Sequence, residues 1–336
     1  MSKILVLGYL GLRTNQLDGQ TVKTRDLYKL ASQEFDDVDL YDTEDFKFKK
    51  LSIFKMFWKV ITCRTIIYLP AHNNLKSIFP IIFVLSKFFR TNIHYFVVGG
   101  WLREFLANLP LHRFMLSHIS GIHTETQRLK SELEMCYNFK NVDVFPNFRF
   151  FDFQPSRTQS DKLRVVFMAR VNKMKGLDWI FNLAEYIALN RLEDKITLSF
   201  YGPIHDEDRE YFEAELSKYP FAEYNGVLQP SEIHQTLNDY DLMLLPTHYY
   251  TEGLPGSIID AYISGIPVIV TEWKHAREFV DNGICGYIIP FENGEDKLIE
   301  HVVSLMNNRD VLQELQAGAL AKRQVFTQPT IDFILK

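Results

Sequence analysis

Short apolar runs alternate with stretches of helical periodicity along the whole chain. Apolar runs of about four to eight residues are typical of strands buried in a parallel sheet, and apolar positions repeated every three or four residues are typical of amphipathic helices. In the first half, this pattern predicts strands at 3–8, 38–41, 65–69, 92–98, 119–124 and 142–145, and helices at 20–33 and 75–89. Val22, Leu27 and Leu30 form the predicted apolar face of the first helix.

The same alternation starts again in the second half. It predicts strands at 163–169, 196–201, 241–245, 267–271 and 286–289, and helices at 177–190, 206–218, 257–263, 294–306 and 311–323. Strands that alternate with helices form parallel sheets with helices on both faces, so the two runs predict two Rossmann-like domains. With a polar boundary at 151–161, we expect domains at 1–155 and 156–325. At 326–336 we expect the start of a terminal helix that could return to the first domain.

Length and charge agree with two domains whose surfaces differ. The chain has 336 residues, of which 46% are hydrophobic and 24% charged, and this excludes a disordered, collagen-like or disulfide-stapled protein. Residues 1–155 hold 20 Lys and Arg against 15 Asp and Glu, a net charge of +5, whereas 156–336 hold 17 against 27, a net charge of −10. A general nucleic-acid binder carries a basic excess over its whole footprint, so the asymmetry argues against nucleic acid as a partner.

The cysteines and apolar segments predict a soluble or peripheral protein of the cytoplasm. Cys63, Cys136 and Cys285 show neither a disulfide framework nor zinc-ligand spacing. The first apolar run is too short for a signal peptide, and the longest later run, 78–89, is shorter than the about 20 residues that span a membrane.

Open α/β sheets bind ligands in the loops that follow their strands, and the first such loop is rich in glycine. Gly8 and Gly11 form G-x-x-G instead of the G-x-G-x-x-G of dinucleotide-binding folds. Together with Asp42 after the second strand, they leave a nicotinamide site as an alternative. Gly19 and Gln20 stand at the predicted start of the first helix, where backbone N–H groups could approach an anion or a sugar.

Arg170 and Lys175 follow a predicted strand and precede a helix. Cations beside a helix N-terminus can bind phosphate, Arg through two parallel hydrogen bonds and Lys as a point charge. The alternative is an exposed basic loop.

Glu252 and Asp260 bracket a Gly/Pro loop and the first turn of a predicted helix. Glu252 could accept hydrogen bonds from sugar hydroxyls and Asp260 from ribose hydroxyls. The residues between them that we expect to face the same ligand are Gly253, Leu254, Pro255, Gly256 and Ser257. The spacing Ser257-x-x-Asp260 also fits a helix capping box, which gives Asp260 an alternative role.

Together, these residues resemble the retaining glycosyltransferases of family 4, the glycosyl transferases group 1, most clearly over 163–323. The family has the GT-B fold, which implies two Rossmann-like domains whose parallel sheets face each other across an interdomain cleft. Arg170 and Lys175 match its R-x4-K-G element, which implies binding of the donor diphosphate. Glu252 and Asp260 match its E-x7-E element, which implies a catalytic contact of Glu252 with the donor sugar and a ribose contact of Asp260.

In the first half, residues 18–24 and the run Gly99, Gly100 and Trp101 resemble members found in bacterial surface-polysaccharide clusters. Gly19, Gln20 and Gly100 are therefore further substrate-binding candidates. Two positions depart from the family pattern: Asp260 replaces a Glu, and the run 99–101 stands where many members carry a His.

The resemblance implies a hexosyl- or N-acetylhexosaminyltransferase that moves sugar from a UDP- or GDP-sugar to a glycan or lipid-linked acceptor. The expected setting is capsule, lipopolysaccharide or exopolysaccharide biosynthesis. Arg170, Lys175 and a helix N-terminus could stabilise the leaving diphosphate, so we expect no metal and no cofactor. We interpret the acidic run 206–208 as the start of a helix and not as a set of metal ligands. A nucleotide-sugar binder that does not catalyse transfer is an alternative.

Residues 46–64 combine six basic residues with Phe and Trp and contain no acid. This composition is typical of an interfacial helix on anionic lipid, which would place the protein on the inner face of the cell membrane. The alternative is a helix that packs Phe54, Phe57 and Trp58 into the core of the first domain.

Overall fold

The computed structural model describes residues 3–49, 51–156 and 160–335 and divides the chain into two compact units. The first unit comprises Met1–Phe150 with Gln328–Lys336, and the second comprises Phe151–Thr327. The division lies five residues before the predicted boundary of 155/156. Residues 157–159 of the predicted linker, Lys50 of the basic segment and Lys336 of the terminal segment lie outside the described residues.

The first unit contains a six-stranded parallel sheet in the order β2-β1-β3-β4-β5-β6. Its strands are β1 (Ile4–Gly8), β2 (Val38–Asp42), β3 (Thr65–Leu69), β4 (Asn92–Phe96), β5 (Gly121–Thr124) and β6 (Val142–Val144). Its helices are α1 (Gly19–Glu34), α2 (Asp45–Phe48), α3 (Ser52–Thr62), α4 (His72–Ser77), α5 (Phe79–Phe89), α6 (Leu102–Leu106), α7 (Pro110–Ser117) and α8 (Gln127–Tyr137).

Helices cover both faces of this sheet because successive side chains of a buried strand point to opposite faces. On β1, Leu5 and Leu7 belong to the core cluster that includes Met56 of α3, whereas Ile4 and Val6 belong to the cluster that includes Leu27 of α1. The predicted helix at 75–89 is wrong in one respect, since it consists of two helices, α4 and α5. The break falls at Ile78, and Pro80 occupies the first turn of α5, where its missing N–H is not needed.

The second unit contains a six-stranded parallel sheet in the order β12-β11-β10-β7-β8-β9. Its strands are β7 (Leu163–Met168), β8 (Ile196–Tyr201), β9 (Ala222–Tyr224), β10 (Leu242–Leu245), β11 (Val268–Thr271) and β12 (Gly286–Ile289). Its helices are α9 (Leu177–Leu189), α10 (Arg209–Leu216), α11 (Ile233–Leu237), α12 (Gly256–Ile263), α13 (Ala276–Phe279), α14 (Glu295–Asn307) and α15 (Arg309–Lys322). The predicted class of parallel α/β units is therefore confirmed.

The strand prediction finds all six strands of the first unit and five of the six in the second, because most of these strands are largely buried. It missed β9, a three-residue strand of which only Ala222 is buried. The predicted bounds 65–69, 196–201 and 286–289 are confirmed. The acidic run 206–208 forms a turn of 3-10 helix before α10, so the helix predicted from 206 begins as an α-helix only at Arg209. No helix among the described residues is both long enough and apolar enough to cross a membrane.

Two neighbouring histidines lie buried in the first sheet. Nδ1 of His94 on β4 lies 3.1 Å from Nε2 of His123 on β5, and the ring of Phe333 lies 4.9 Å from that of His123. Phe333 belongs to the terminal residues, where a 3-10 turn at Asp332–Leu335 stands in place of the predicted start of a helix. Burial lowers the pKa of His94 to about 4 and that of His123 to about 3.

We expect the free energy of unfolding to decrease as the pH is lowered from 6.5, the ordinary pKa of His, to about 4. In this range the unfolded chain binds protons that the two buried imidazoles do not take up. A His123→Gln variant should show a shallower loss in urea unfolding. His118→Gln, which removes an exposed imidazole, should keep the wild-type slope. Equal slopes for wild type and His123→Gln would contradict this account.

Candidate functional site

The strand order of the second sheet reverses between β7 and β10. Strands β8 and β9 lie on one side of β7, and β11 and β12 lie beyond β10. In doubly wound sheets, ligands bind at such a switch point, outside the carboxyl ends of the two strands. The loop with Arg170 and Lys175 follows β7, and the loop with Glu252 follows β10. The fold therefore brings the candidate residues of the two loops to the same edge.

Lys175 and Glu252 are in direct contact at this edge. The Lys175 ammonium donates a hydrogen bond to Oε2 of Glu252, and both side chains are largely buried. The Lys175 Nζ also lies 5.1 Å from the centre of the Tyr249 ring. Oγ1 of the buried Thr247 lies 3.4 Å from Oε2 of Glu252. A cation and an acid that are 77 residues apart thus form the centre of the candidate site.

Gly176 lets the two loops approach each other. Its φ is +82°, and a Cβ placed there would lie 2.1 Å from the carbonyl oxygen of Pro246 in the loop after β10. Only glycine accepts this backbone angle and this distance without strain. Lys175 ends a turn of 3-10 helix at Lys173–Lys175, and Gly176 leads directly into α9.

Helix α12 begins at Gly256, directly after the Gly/Pro loop. Pro255 occupies its N-cap position, where no side chain caps the helix. The capping-box alternative for Ser257 and Asp260 is therefore wrong. Gly253 and Leu254 are buried, whereas Pro255, Gly256 and Ser257 are half-exposed. The half-exposed residues at the helix start can therefore reach a ligand through their backbone.

Asp260 is 4% exposed, and its Oδ1 lies 3.2 Å from Nε2 of His234 on α11. Sequence reasoning missed His234, since no local pattern links it to a residue 26 positions away. The contact orients the Asp260 carboxylate. Arg170 directly follows Ala169 at the end of β7 and is exposed. A diphosphate at the switch point could therefore reach its guanidinium.

The strand order of the first sheet also reverses, between β1 and β3. Gly19 is exposed at the start of α1, and a Cβ built on it would meet nothing within 4 Å. Asp18 caps the helix by accepting a hydrogen bond from Thr21 N. Nε2 of Gln20 donates to the Leu69 carbonyl at the end of β3. Gly19 and Gln20 thus lie at the switch point of this sheet, with open space in front of Gly19.

The Asp42 carboxylate binds the backbone of the loop after β1 and is not presented as a ribose ligand. Its Oδ1 accepts from Leu10 N, and its Oδ2 accepts from Leu12 N, both at 3.0 Å. Oδ1 also accepts from Glu44 N at 2.9 Å. The nicotinamide alternative rested on Gly8 and Gly11 together with Asp42, and these contacts remove the support from Asp42.

A buried ion pair joins helix α1 to the loops that follow β4 and β5 in the first unit. Lys23 of α1 donates to Oε1 of Glu125 at 2.7 Å and to the Val97 carbonyl at 2.8 Å, and the Lys23 side chain is fully buried. Oε2 of Glu125 accepts from Gly99 N at 3.1 Å. Burial lowers the pKa of Lys23, although the adjacent Glu125 acts in the opposite direction. The pair thus holds the loop that leads to Gly100.

Gly100 itself is buried, and Trp101 beside it is half-buried. Nε1 of Trp101 donates to the Val98 carbonyl at 2.7 Å, which fixes the indole on the loop. Sequence reasoning named the glycines here but missed Lys23 and Glu125 as a pair. Val22 was expected in the apolar face of α1, but it is only half-buried while Lys23 points into the core.

Across the described parts of the chain, no three His, Cys, Asp or Glu residues lie close enough together to share a metal ion.

Comparison with known proteins finds sequence similarity to one family model and to several relatives. Residues 162–308 match the family model of glycosyl transferases group 1. Over 185 residues, the chain is 23% identical to an uncharacterized 41.2 kDa protein of the Klebsiella pneumoniae cps region, covering 54% of this chain and 48% of that protein. Over 176 residues, it is 26% identical to a Salmonella typhimurium protein provisionally named colanic acid biosynthesis glycosyltransferase WcaL, covering 51% and 43%. The matches thus span about half the length of these relatives, or somewhat less.

The fold has a solved counterpart in Anabaena HepE, crystallised in complex with UDP-glucose. The TM-score is 0.75 at 15% sequence identity, and the match covers 97% of this chain and 96% of that one. At this identity the likeness establishes the fold, which is GT-B, and the family model covers most of the second unit.

We expect Gly176→Ala to destabilise the second unit more than Gly226→Ala. Both glycines have φ near +80°, so each alanine incurs the cost of a left-handed backbone, about 1–2 kcal/mol. Only Gly176→Ala adds a collision with Pro246, because nothing lies within 4 Å of a Cβ at Gly226. Urea unfolding measures both losses. Equal losses would contradict the close approach of the two loops.

We expect Glu125→Gln to cost about 3–5 kcal/mol of unfolding free energy, because it leaves the Lys23 ammonium buried without a counter-charge. Amide exchange at Gly99 should accelerate in the same variant. The control is Glu300→Gln, which removes an exposed partner of Lys297 and should leave stability unchanged. Similar losses in the two variants would show that Lys23 does not depend on Glu125.

Proposed function

We propose that this protein is a glycosyltransferase that moves a hexosyl or N-acetylhexosaminyl group from a nucleoside-diphosphate sugar to a glycan or lipid-linked acceptor. The anomeric configuration is retained, and the product belongs to a bacterial capsule, lipopolysaccharide or exopolysaccharide. The second unit binds the donor, and the first unit binds the acceptor.

One observation carries the proposal: Lys175 and Glu252 meet at the switch point of the second sheet, where a doubly wound unit binds its ligand. The Lys175 ammonium suits a diphosphate, and the Glu252 carboxylate suits sugar hydroxyls. Their mutual contact puts both groups within reach of one ligand that carries a diphosphate and a sugar side by side. The match of residues 162–308 to glycosyl transferases group 1 supports the same proposed function.

The reaction breaks the bond between the anomeric carbon and the diphosphate oxygen and forms a bond from that carbon to an acceptor oxygen. The nucleoside diphosphate leaves with the bonding electrons, and its phosphate oxygen takes up the proton that the acceptor hydroxyl releases. Lys175, Arg170 and the N-terminus of α12 stabilise the charge that develops on the leaving group. In this proposal these groups stabilise the leaving group in place of the metal ion that other transferases use. Glu252 positions the sugar, and Asp260 binds the ribose.

Three relatives guide the choice of donor and setting. HepE was crystallised with UDP-glucose, one relative is encoded in a cps region, and another carries a name from colanic acid biosynthesis. We therefore propose a UDP-hexose as the first donor to test, with GDP-sugars as the other class. We further propose a cytoplasmic location, peripheral on the inner face of the cell membrane.

We expect two substitutions to separate donor binding from transfer. Lys175→Gln should weaken binding of UDP-glucose, UDP-N-acetylglucosamine or GDP-mannose by at least about tenfold, since it removes a charged hydrogen-bond donor. Glu252→Gln should retain or strengthen donor binding, because the neutral amide competes with the diphosphate for Lys175 more weakly than the carboxylate does. Its transfer rate should fall by about a hundredfold or more, as when a group at a reacting centre is removed.

Thermal shift with the nucleotide-sugar panel measures binding, because a bound donor raises apparent stability by mass action. Incorporation of labelled sugar into a lipid extract of a capsule-forming bacterium measures transfer. Matched controls are Lys173→Gln, on the same turn as Lys175, and Glu272→Gln, an exposed acid paired with Arg277. If no nucleotide sugar binds, the proposed function is wrong. If the wild type binds but never transfers, the protein is a binder without catalysis.

A further inference from the structure

Three helices of the first unit carry large apolar side chains on their outward sides. Trp58 of α3 is 66% exposed and Phe88 of α5 is 80% exposed, although side chains of this size are normally buried. The exposed large apolar residues of these helices, with Leu51 directly before α3, are Leu51, Phe54, Trp58, Ile81, Val84, Phe88, Phe89, Leu111 and Phe114. The alternative that packed Phe54 and Trp58 into the core is therefore wrong, whereas Phe57 does pack partly against it.

Apart from Phe89, the exposed apolar residues of each helix repeat every three or four positions, so they form one stripe along its outer side. The opposite side of α3 carries Met56 and Val60, which are fully buried. Helix α5 packs against α3 and also against α7, which makes the three helices neighbours. We call the combined outer surface of α3, α5 and α7 the aromatic face.

The charge around the aromatic face is positive. From residue 46 to residue 103 the sequence contains ten Lys and Arg and no Asp or Glu. Lys49, Lys55 and Lys87 are exposed within this stretch, and so is Lys47 of α2. Some of these cations have partners within the protein: Lys59 is paired with Asp39, Lys87 donates to the His118 carbonyl, and Lys47 donates to the Tyr9 hydroxyl. A large apolar surface surrounded by cations matches anionic lipid in both polarity and charge.

We propose that the aromatic face docks on the surface of an anionic lipid bilayer. Its apolar stripes enter the boundary between headgroups and acyl chains, and Lys49, Lys55 and Lys87 face the lipid phosphates. The inference extends the membrane contact predicted for residues 46–64 to α5 and α7, which lie outside that segment. The inference depends on the proposed function in one respect: the membrane contact would bring the enzyme to a lipid-linked acceptor.

Charge favours lipid over a second copy of the chain as the occupant. Two aromatic faces pressed together around a twofold axis would bring the same cations against each other, with no acid from this stretch to neutralise them. A bilayer supplies negative charge over the whole contact, and the exposed indole of Trp58 suits the interface between headgroups and hydrocarbon.

Vesicle co-sedimentation tests the proposal without any sugar transfer, so its failure is separate from failure of the proposed function. We expect binding to phosphatidylglycerol-containing vesicles and much weaker binding to pure phosphatidylcholine vesicles. Added salt should weaken the binding, because it screens the cations. Tryptophan emission should shift to the blue on binding, and Trp58→Phe should lose most of that shift while it still binds.

Two paired variants probe the face. Phe54→Ser with Phe88→Ser removes apolar side chains, and Lys49→Glu with Lys55→Glu reverses charge. Each pair should weaken vesicle binding by at least about tenfold. The matched controls are Met135→Ser with Leu189→Ser, which are equally exposed elsewhere, and Lys140→Glu with Lys195→Glu. The controls should bind like the wild type, and thermal unfolding should show all variants folded.

Three outcomes would overturn the proposal. The first is no binding to anionic vesicles, and the second is binding that both face variants retain in full. The third is a wild-type dimer, seen by sedimentation velocity, that the face variants convert to a monomer without any vesicle binding. That last result would assign the face to a second copy of the chain.

Discussion

The contact between Lys175 and Glu252 depends on the reversal of strand order between β7 and β10. Helices that follow the two strands leave toward opposite faces of the sheet, so the loops separate and a crevice opens at the edge. Gly176 then allows the loop after β7 to touch Pro246, at a distance that no side chain would permit. Without this close approach, the Lys175 ammonium and the Glu252 carboxylate would lie too far apart to touch. The candidate chemistry of the second unit is thus a consequence of its topology.

The strand order also reverses in the first unit, but the ion pair there has a structural role. Lys23 and Glu125 are buried and bind each other, so they shape the loops around Gly99 and do not face solvent. Lys175 and Glu252 remain partly accessible, so a ligand can compete for either of them. Burial therefore separates a structural ion pair from a candidate functional one, although both pairs lie next to the carboxyl ends of strands.

The net charge of each half of the chain is a poor guide to the charge at its candidate binding surface. The second half carries −10, yet Arg170 and Lys175 make its switch point suitable for a diphosphate. The first half carries only +5, yet the stretch from 46 to 103 holds ten cations without an acid and includes two of the three helices of the aromatic face. Both the donor proposal and the lipid proposal follow from the local distribution of charge.

The sequence alone was enough to predict the class of fold, which the structure confirms, and to name the loops that hold the candidate site residues. Strands buried on both faces must be continuously apolar, and glycines, cations and acids cluster where loops follow them, so both features can be read locally. The assembled fold was needed to show that Lys23 pairs with Glu125, that Asp260 contacts His234, and that the helix predicted at 75–89 breaks at Ile78. It also decided that Phe54 and Trp58 face outward, because periodicity shows that a helix has an apolar side but not which apolar residues its neighbours cover. Those outcomes depend on contacts between residues far apart in the chain, and such contacts exist only once the sheets and helices are assembled.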